Sequence, residues 1–232
     1  MVIVTPADVK DVAWEGELVV PAVTRGTGGS RPIVTIGRPE IWTVADALES
    51  ETGKKWVAPL GDAQYWLVRL ACTVREPAGL RTLTEAMQTL YLRPRNSAAP
   101  QDSAYALRLF PERLGIEDKA EFSVSLGPEL SFADGAGIKV GEVGAKIEYR
   151  KVFPVIQGYG TGEATPYWVF KPHSAHPLLG SQCVYAVLVA RTPAGGLRAS
   201  VEVTVTAQNS FGQLVRFGTP EEAKAHTRFD LP

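Results

Sequence analysis

The fold is decided by residues 198–207, which read Arg-Ala-Ser-Val-Glu-Val-Thr-Val-Thr-Ala. Polar and apolar side chains alternate at every position, and successive side chains of a β-strand point to opposite faces of its sheet. The stretch therefore predicts a strand with one buried face. It follows the apolar run Cys183–Ala190 after a short Thr-Pro-Ala-Gly-Gly connection, and this combination predicts an antiparallel hairpin over residues 183–207.

The same alternation recurs along much of the chain. Apolar residues at every second position mark strands at residues 65–75, 105–109, 122–126 and 143–149, with Gly, Pro and Asp turn signals between them. Short strands at such spacing are typical of a sandwich or a barrel. We predict a mainly β protein, an antiparallel β-sandwich of about eight to ten strands with one or two short helices.

Two stretches predict these helices. Leu83, Met87 and Leu90 fall at helical spacing, so residues 80–90 are predicted to form the first one. Near the C-terminus, Thr219 is followed by Pro220, and a Glu stands three residues after the Thr. A capping Thr, a Pro at the first helical position and this Glu together mark a helix start. The second helix is therefore predicted over residues 220–226.

No linker in the sequence divides the 232 residues into separate units. We predict a single β-sandwich domain over residues 1–232, in which residues 1–60 form a less regular N-terminal extension. A domain of this size removes roughly 70% of its unfolded surface from water, which is enough for an ordinary hydrophobic core.

Charge and hydropathy limit the classes of partner. Lys and Arg number 24 and Asp and Glu 25, which leaves a formal charge of −1. Such a balance gives no long-range attraction to phosphate backbones, so we expect no nucleic-acid partner. No apolar run approaches the ~20 residues of a membrane-spanning helix, and the N-terminal residues lack the pattern of a signal peptide. We expect an intracellular, cytoplasmic protein with no stable membrane span.

The two cysteines lie in apolar stretches of sequence. Cys72 belongs to the run 65–75, and Cys183 opens the run that precedes the alternating strand. Without a secretion signal, this position favours two buried thiols over a disulfide. The sequence alone leaves their pairing open.

Polar, aromatic and glycine residues crowd together in residues 157–182. Long ordered connections in compact domains often carry function, because a rigid sheet holds them in place. Aromatic side chains there could stack on a planar ligand or a sugar ring, or anchor a protein partner. Tyr167 and Trp168 are neighbours on a short strand and face opposite ways, so one of them is expected in the core. The candidate binding residues are Tyr159, Glu163, Trp168, His173 and His176.

No catalytic set is complete in this sequence. Ser181 lacks the second glycine of a nucleophile elbow, and His173 with His176 would need a third ligand to hold zinc. Glu148 and Glu202 occupy the polar sides of predicted strands, where solvated carboxylates are expected rather than a catalytic pair. We predict no catalytic residue, no metal site and no cofactor.

The leading hypothesis is a non-catalytic protein-interaction or ligand-binding module, whose partner is another protein and which is compatible with a larger assembly or a homo-oligomer. One alternative is a hydrolase that uses His173 or His176, either with a metal or as part of a nucleophilic pair. Another is a glycan-binding module. A further alternative is insertion of the 183–207 hairpin into a membrane, since each arm approaches the ~10 residues of a tilted spanning strand.

Overall fold

The structure is a computed structural model, and it describes the chain in the following ranges: 11–20, 31–45, 56–58, 60–75, 82–114, 121–125, 131–132, 144–148, 155–172, 178, 180–192, 194–208 and 211–231. The described part is mainly β. In chain order its strands are β1 (Val12–Glu17), β2 (Ile33–Gly37), β3 (Glu40–Thr43), β4 (Trp56–Val57), β5 (Ala63–Arg75), β6 (Thr82–Pro94), β7 (Ala104–Phe110), β8 (Arg113–Leu114), β9 (Glu121–Ser125), β10 (Ser131–Phe132), β11 (Gly144–Glu148), β12 (Val155–Tyr159), β13 (Tyr167–Lys171), β14 (Gly180–Arg191), β15 (Leu197–Gln208), β16 (Leu214–Gly218) and β17 (Arg228–Leu231).

Two antiparallel sheets pack against each other like the layers of a sandwich. The first sheet runs in the order β1-β2-β5-β14-β7, with β3 also paired to β5. The second runs in the order β16-β15-β6-β13-β12-β8, with β17 also paired to β15. Two small pairs, β4 with β10 and β9 with β11, complete the described strands. The mainly β, sandwich-like fold is therefore confirmed.

The predicted strand number was too low. The two main sheets alone hold six and seven strands in the described part of the chain. The long strands explain the excess, because each accepts two short partners end to end along one edge. β5 pairs with both β2 and β3, and β15 pairs with both β16 and β17. Each of these short strands contains only a few alternating residues, so it gives a weak strand signal in the sequence.

The predicted hairpin over residues 183–207 is wrong, although both of its arms are strands. β14 pairs with β5 and β7 in the first sheet, whereas β15 pairs with β6 in the second. The Gly-rich connection therefore crosses between the sheets instead of turning within one, and Gly195 and Gly196 take positive φ angles of 65° and 99° there. β14 is buried on both faces, so it needs a central position with neighbours on both edges, which a two-stranded hairpin does not provide.

The core lies between the two sheets. The alternation in β15 is confirmed, since Val201, Val203 and Val205 are all buried and face the first sheet. Val184, Ala186 and Leu188 of β14 meet them from the other side. Each fully buried Val or Leu contributes about 1.5–3 kcal/mol relative to an exposed one, so this layer dominates the stability of the fold.

A second apolar cluster covers the outer face of the first sheet. Tyr185, Val187 and Val189 of β14 pack there against Tyr65 and Leu67 of β5. These residues alternate with the inward-facing ones, which explains why β14 is apolar at nearly every position. The centre of the first sheet is therefore buried on both faces.

The predicted helix over residues 80–90 is wrong, because this stretch forms β6 in the middle of the second sheet. A register shift opposite Thr206 and Ala207 breaks the strict alternation. Leu83 and Ala86 consequently both face the core, although they are three positions apart instead of two or four. A β-bulge of this kind changes the apolar spacing from two to three, which resembles a helical period.

The predicted C-terminal helix is confirmed as α1 (Glu221–His226), and its residue Ala223 is fully buried. The predicted cap is wrong. Thr219 Oγ1 accepts from the Val203 N–H at 2.8 Å and lies 2.9 Å from the Val203 carbonyl oxygen, so its hydroxyl fastens the chain to β15. The hydroxyl is thereby committed to the sheet, and the residue at the cap position is Pro220.

Candidate interaction surface

The structure separates the predicted binding residues. Tyr159 and Glu163 are exposed, whereas Trp168 is fully buried. His173 and His176 lie outside the described residues. The predicted site therefore reduces, in the described part of the chain, to one exposed aromatic residue, one exposed carboxylate and the residues beside them.

Tyr159 forms a stacked pair with Tyr167, which is its direct partner in the register of β12 and β13. The ring centroids are 5.0 Å apart and the planes differ by 19°. Tyr159 remains 38% exposed, and both rings lie on the outer face of the second sheet, away from the core. Cross-strand aromatic pairs of this kind stabilise a sheet and leave a large, stiff surface towards solvent.

The connection that follows Tyr159 is held to both sheets by its backbone. The Gly162 N–H donates to the Ala106 carbonyl at 2.7 Å, and the Ala106 N–H donates to the Glu163 carbonyl at 3.1 Å. On the other side, the Leu92 N–H donates to the Ala164 carbonyl at 2.8 Å. Because β7 and β6 belong to different sheets, this connection closes one edge of the sandwich and fixes the base of the tyrosine pair.

Gly160 makes this connection possible. Its φ angle is +86°, a region that side-chain-bearing residues rarely adopt. A Cβ atom there would lie 2.9 Å from the Cα of Pro166, closer than such atoms approach each other. The glycine therefore allows the chain to turn tightly from Tyr159 back to Tyr167.

Trp168 points the opposite way from Tyr167, as the strand pattern predicted. Its indole is fully buried between the sheets, and its Nε1 has no hydrogen-bond partner among the described residues. A Cβ added to Gly158, its register partner, would lie 3.3 Å from this Nε1. In this conformation Trp168 packs in the core on the inner side of its strand and presents no surface to a partner.

A cluster of polar side chains lies beside the tyrosine pair on the same outer face. The register places Glu202 of β15 next to Thr89, whose other neighbour is Tyr167. Lys224 of α1 lies with its Nζ 3.0 Å from the Glu202 carboxylate and 2.7 Å from that of Glu221. Hydrogen bonds to these two carboxylates raise the pKa of Lys224 to about 12. The ammonium is thus fully charged at neutral pH, and it ties the helix to the sheet.

A second polar cluster lies on the outer face of the first sheet. Arg69 is almost fully buried, forms an ion pair with Glu40 and donates from Nη2 to the Cys183 sulfur at 3.3 Å. Burial raises the pKa of the Cys183 thiol, and the guanidinium lowers it by a smaller amount. A raised thiol pKa disfavours a nucleophilic role at neutral pH.

Cys72 and Cys183 form no disulfide. Cys72 faces the core, whereas Cys183 lies on the opposite face of the same sheet, so their side chains point apart. Burial raises the pKa of Cys72 to about 12. The expectation of two buried thiols is confirmed.

The described residues contain no group of three or more His, Cys, Asp or Glu side chains that could hold a metal ion. None of the described helices is both long enough and apolar enough to cross a bilayer.

Comparison with known proteins identifies no family. No protein-family model and no curated protein sequence matches the chain. Among solved structures, the Clostridium perfringens delta-toxin is 11% identical with a TM-score of 0.37, over 89% of this chain and 96% of that one. A structure described as a pore forming protein is 12% identical with a TM-score of 0.40, over 84% and 88%. The Clostridium perfringens NetB toxin in its membrane-inserted form is 10% identical with a TM-score of 0.37, over 86% and 100%.

Proposed function

We propose that this protein is a non-catalytic interaction module that binds another protein through the outer face of its second sheet. The observation that carries the proposal is the stacked pair of Tyr159 and Tyr167 on that face. A tyrosine at an interface supplies a large contact area for a small loss of rotamer entropy, and tyrosines are enriched among the residues that dominate binding energy.

The scaffold beneath the pair supports this function. Both strands of the pair are joined through β6 to the long strand β15, and the 160–166 connection is bonded to both sheets. The rings are therefore held in place before a partner arrives, which lowers the entropic cost of association. The thiols and the Arg69 cluster lie elsewhere, on the first sheet or in the core.

The test is a quantitative affinity capture with the whole chain as bait and Tyr159→Ala as the variant. The affinity of a partner that binds through this face should fall by about tenfold or more in the variant. This is the effect of removing an interface residue that contributes at least ~1.4 kcal/mol. The matched control is Ile41→Ala, which removes an apolar side chain 37% exposed on the first sheet. It should retain the same partner.

Two outcomes would contradict the proposal. One is a partner that wild type and Tyr159→Ala retain equally while both remain folded by circular dichroism. The other is a partner that the Ile41→Ala control loses as strongly, which would place binding on the opposite sheet. A glycan-binding module would instead capture no protein and would show Tyr159-dependent binding on a glycan array.

A further inference from the structure

Counted over the described residues, the outer face of the second sheet carries more positive than negative charge, although the whole chain has a formal charge of −1. Among the described residues, the strand registers place three acidic side chains on it, Glu85, Glu202 and Asp230, and α1 adds Glu221 beside Lys224. Three of these four already have basic partners, since Glu202 and Glu221 bind Lys224 and Asp230 binds Arg198. The basic side chains that the same registers place there are all exposed: Arg93, Arg113, Lys171, Arg198, Arg216 and Arg228.

These charges surround the tyrosine pair instead of mixing with it. Arg216 and Lys171 lie towards one end of the strands, and Arg93 lies towards the other end, on the far side of the pair. The rows of Arg216 and Arg93 are about 26 Å apart along β15 at ~3.3 Å per residue. Half-buried Met87 and Val169 lie beside the pair in the middle.

We infer that the partner is an acidic protein surface, whose carboxylates meet this basic rim while apolar groups cover the tyrosines. The inference rests on the proposed function and names the chemistry of the partner. An aromatic and apolar centre inside a charged rim is the usual anatomy of a protein interface, and Tyr and Arg are enriched there. Complementary rim charges accelerate encounter and select the partner.

The row of the tyrosine pair distinguishes this partner from a nucleic acid. Glu202 lies in that row, one strand beyond Thr89, and its carboxylate is paired with Lys224, so the registers of the described strands place no unpaired basic side chain there. A phosphate backbone that crossed the rings would therefore find no free cation in this row, whereas an apolar protein side chain needs none. The area also fits, because a face of about 26 by 24 Å covers roughly 600 Å² in plan, close to the ~800 Å² per partner of a standard interface.

The test is fluorescence anisotropy of the whole chain with a labelled peptide in which Glu alternates with Leu and Tyr. We expect saturable binding that weakens as salt rises. The double variant Lys171→Glu/Arg216→Glu should weaken it by about tenfold or more, because both rim charges then repel the probe. The matched control is Arg31→Glu/Arg38→Glu, which changes net charge equally at two exposed positions of or beside the first sheet and should leave binding nearly unchanged.

The remaining outcomes overturn the inference. Failure of the acidic peptide to bind, or an equal loss in both double variants, would show that this face does not select acidic proteins. Tighter binding of labelled oligothymidylate than of the peptide would point to nucleic acid instead. If Tyr159→Ala releases a captured partner that Lys171→Glu/Arg216→Glu retains, the proposed function stands and only the acidic partner is rejected.

Discussion

The sulfur of Cys72 lies 3.6 Å from Oε1 of Gln88, so one polar contact joins the two sheets through the middle of an apolar core. Gln88 is fully buried, and its Nε2 has no hydrogen-bond partner among the described residues. An unsatisfied buried polar group costs about 1–3 kcal/mol, whereas the thiol contact returns little. Gln88 therefore lowers the stability of the fold at its centre.

We expect Gln88→Met to raise the free energy of unfolding by about 1 kcal/mol, because a side chain of similar length fills the space without an amide. Urea denaturation measures the change. Gln157→Met is the matched control, since Gln157 is exposed on a strand of the same sheet, and it should change stability by less than about 0.5 kcal/mol. A loss of stability in Gln88→Met would show that its amide is satisfied.

The second prediction concerns Gly158, which lies beneath the indole of Trp168. A Cβ there would lie 3.1 Å from the Pro111 carbonyl oxygen and 3.3 Å from Leu109 Cβ. We expect Gly158→Ala to destabilise the protein by about 1–3 kcal/mol, the cost of overpacking a closed core. Thermal unfolding measures this cost. Gly61→Ala should be near neutral, because nothing lies within 4 Å of its Cβ position; equal effects at both sites would contradict the packing argument.

The fold was predictable in its class because period-two alternation reports burial directly. β15 is an example, with every apolar residue facing the core as expected. The pairing of strands was not predictable, because alternation shows which side chains are buried but not which strand hydrogen-bonds to which. This is why β14 and β15 were expected to form a hairpin, although they lie in different sheets. The register shift in β6 likewise produced an apolar spacing that resembles a helix.

The candidate surface was predictable only in part. The strand pattern indicated that one of Tyr167 and Trp168 is buried, but it could not choose between them; the structure places Trp168 in the core. Tyr159 was named without its stacking partner, because the pairing of β12 with β13 fixes which rings meet. The basic rim was missed entirely. Its six residues come from six strands that extend over residues 93–228, and an overall charge of −1 conceals a local excess.

The third prediction is a pH dependence at Glu15. Hydrogen bonds from Thr35 and from Arg75 hold the pKa of this carboxyl below its ordinary value. A carboxyl with a depressed pKa in the folded state contributes stability above its unfolded pKa of about 4.3 and loses it as pH falls through the folded value. We expect Glu15→Gln to destabilise the protein at neutral pH and to become equal to wild type in acid.

A double-mutant cycle with Arg75→Gln isolates this effect, because Arg75 lies 3.0 Å from the Glu15 carboxylate and both side chains are largely exposed. The coupling free energy, measured by urea denaturation across pH, should be favourable at neutral pH and vanish in acid. A coupling that does not change with pH would show that charge plays no part in the contact.

The last prediction concerns thiol reactivity. Only the thiolate attacks an alkylating reagent, and burial raises the pKa of Cys72 to about 12. Relative to an ordinary thiol of pKa about 8.5, its thiolate fraction at neutral pH falls by roughly 3 × 10³-fold. Native protein treated with iodoacetamide should therefore label slowly, with Cys183 faster than Cys72 because Arg69 partly offsets burial there. Peptide mass spectrometry measures both rates, and urea-unfolded chain gives the reference. Rapid native labelling of Cys183 would instead identify an activated thiol on the first sheet and would revive a nucleophilic role for it.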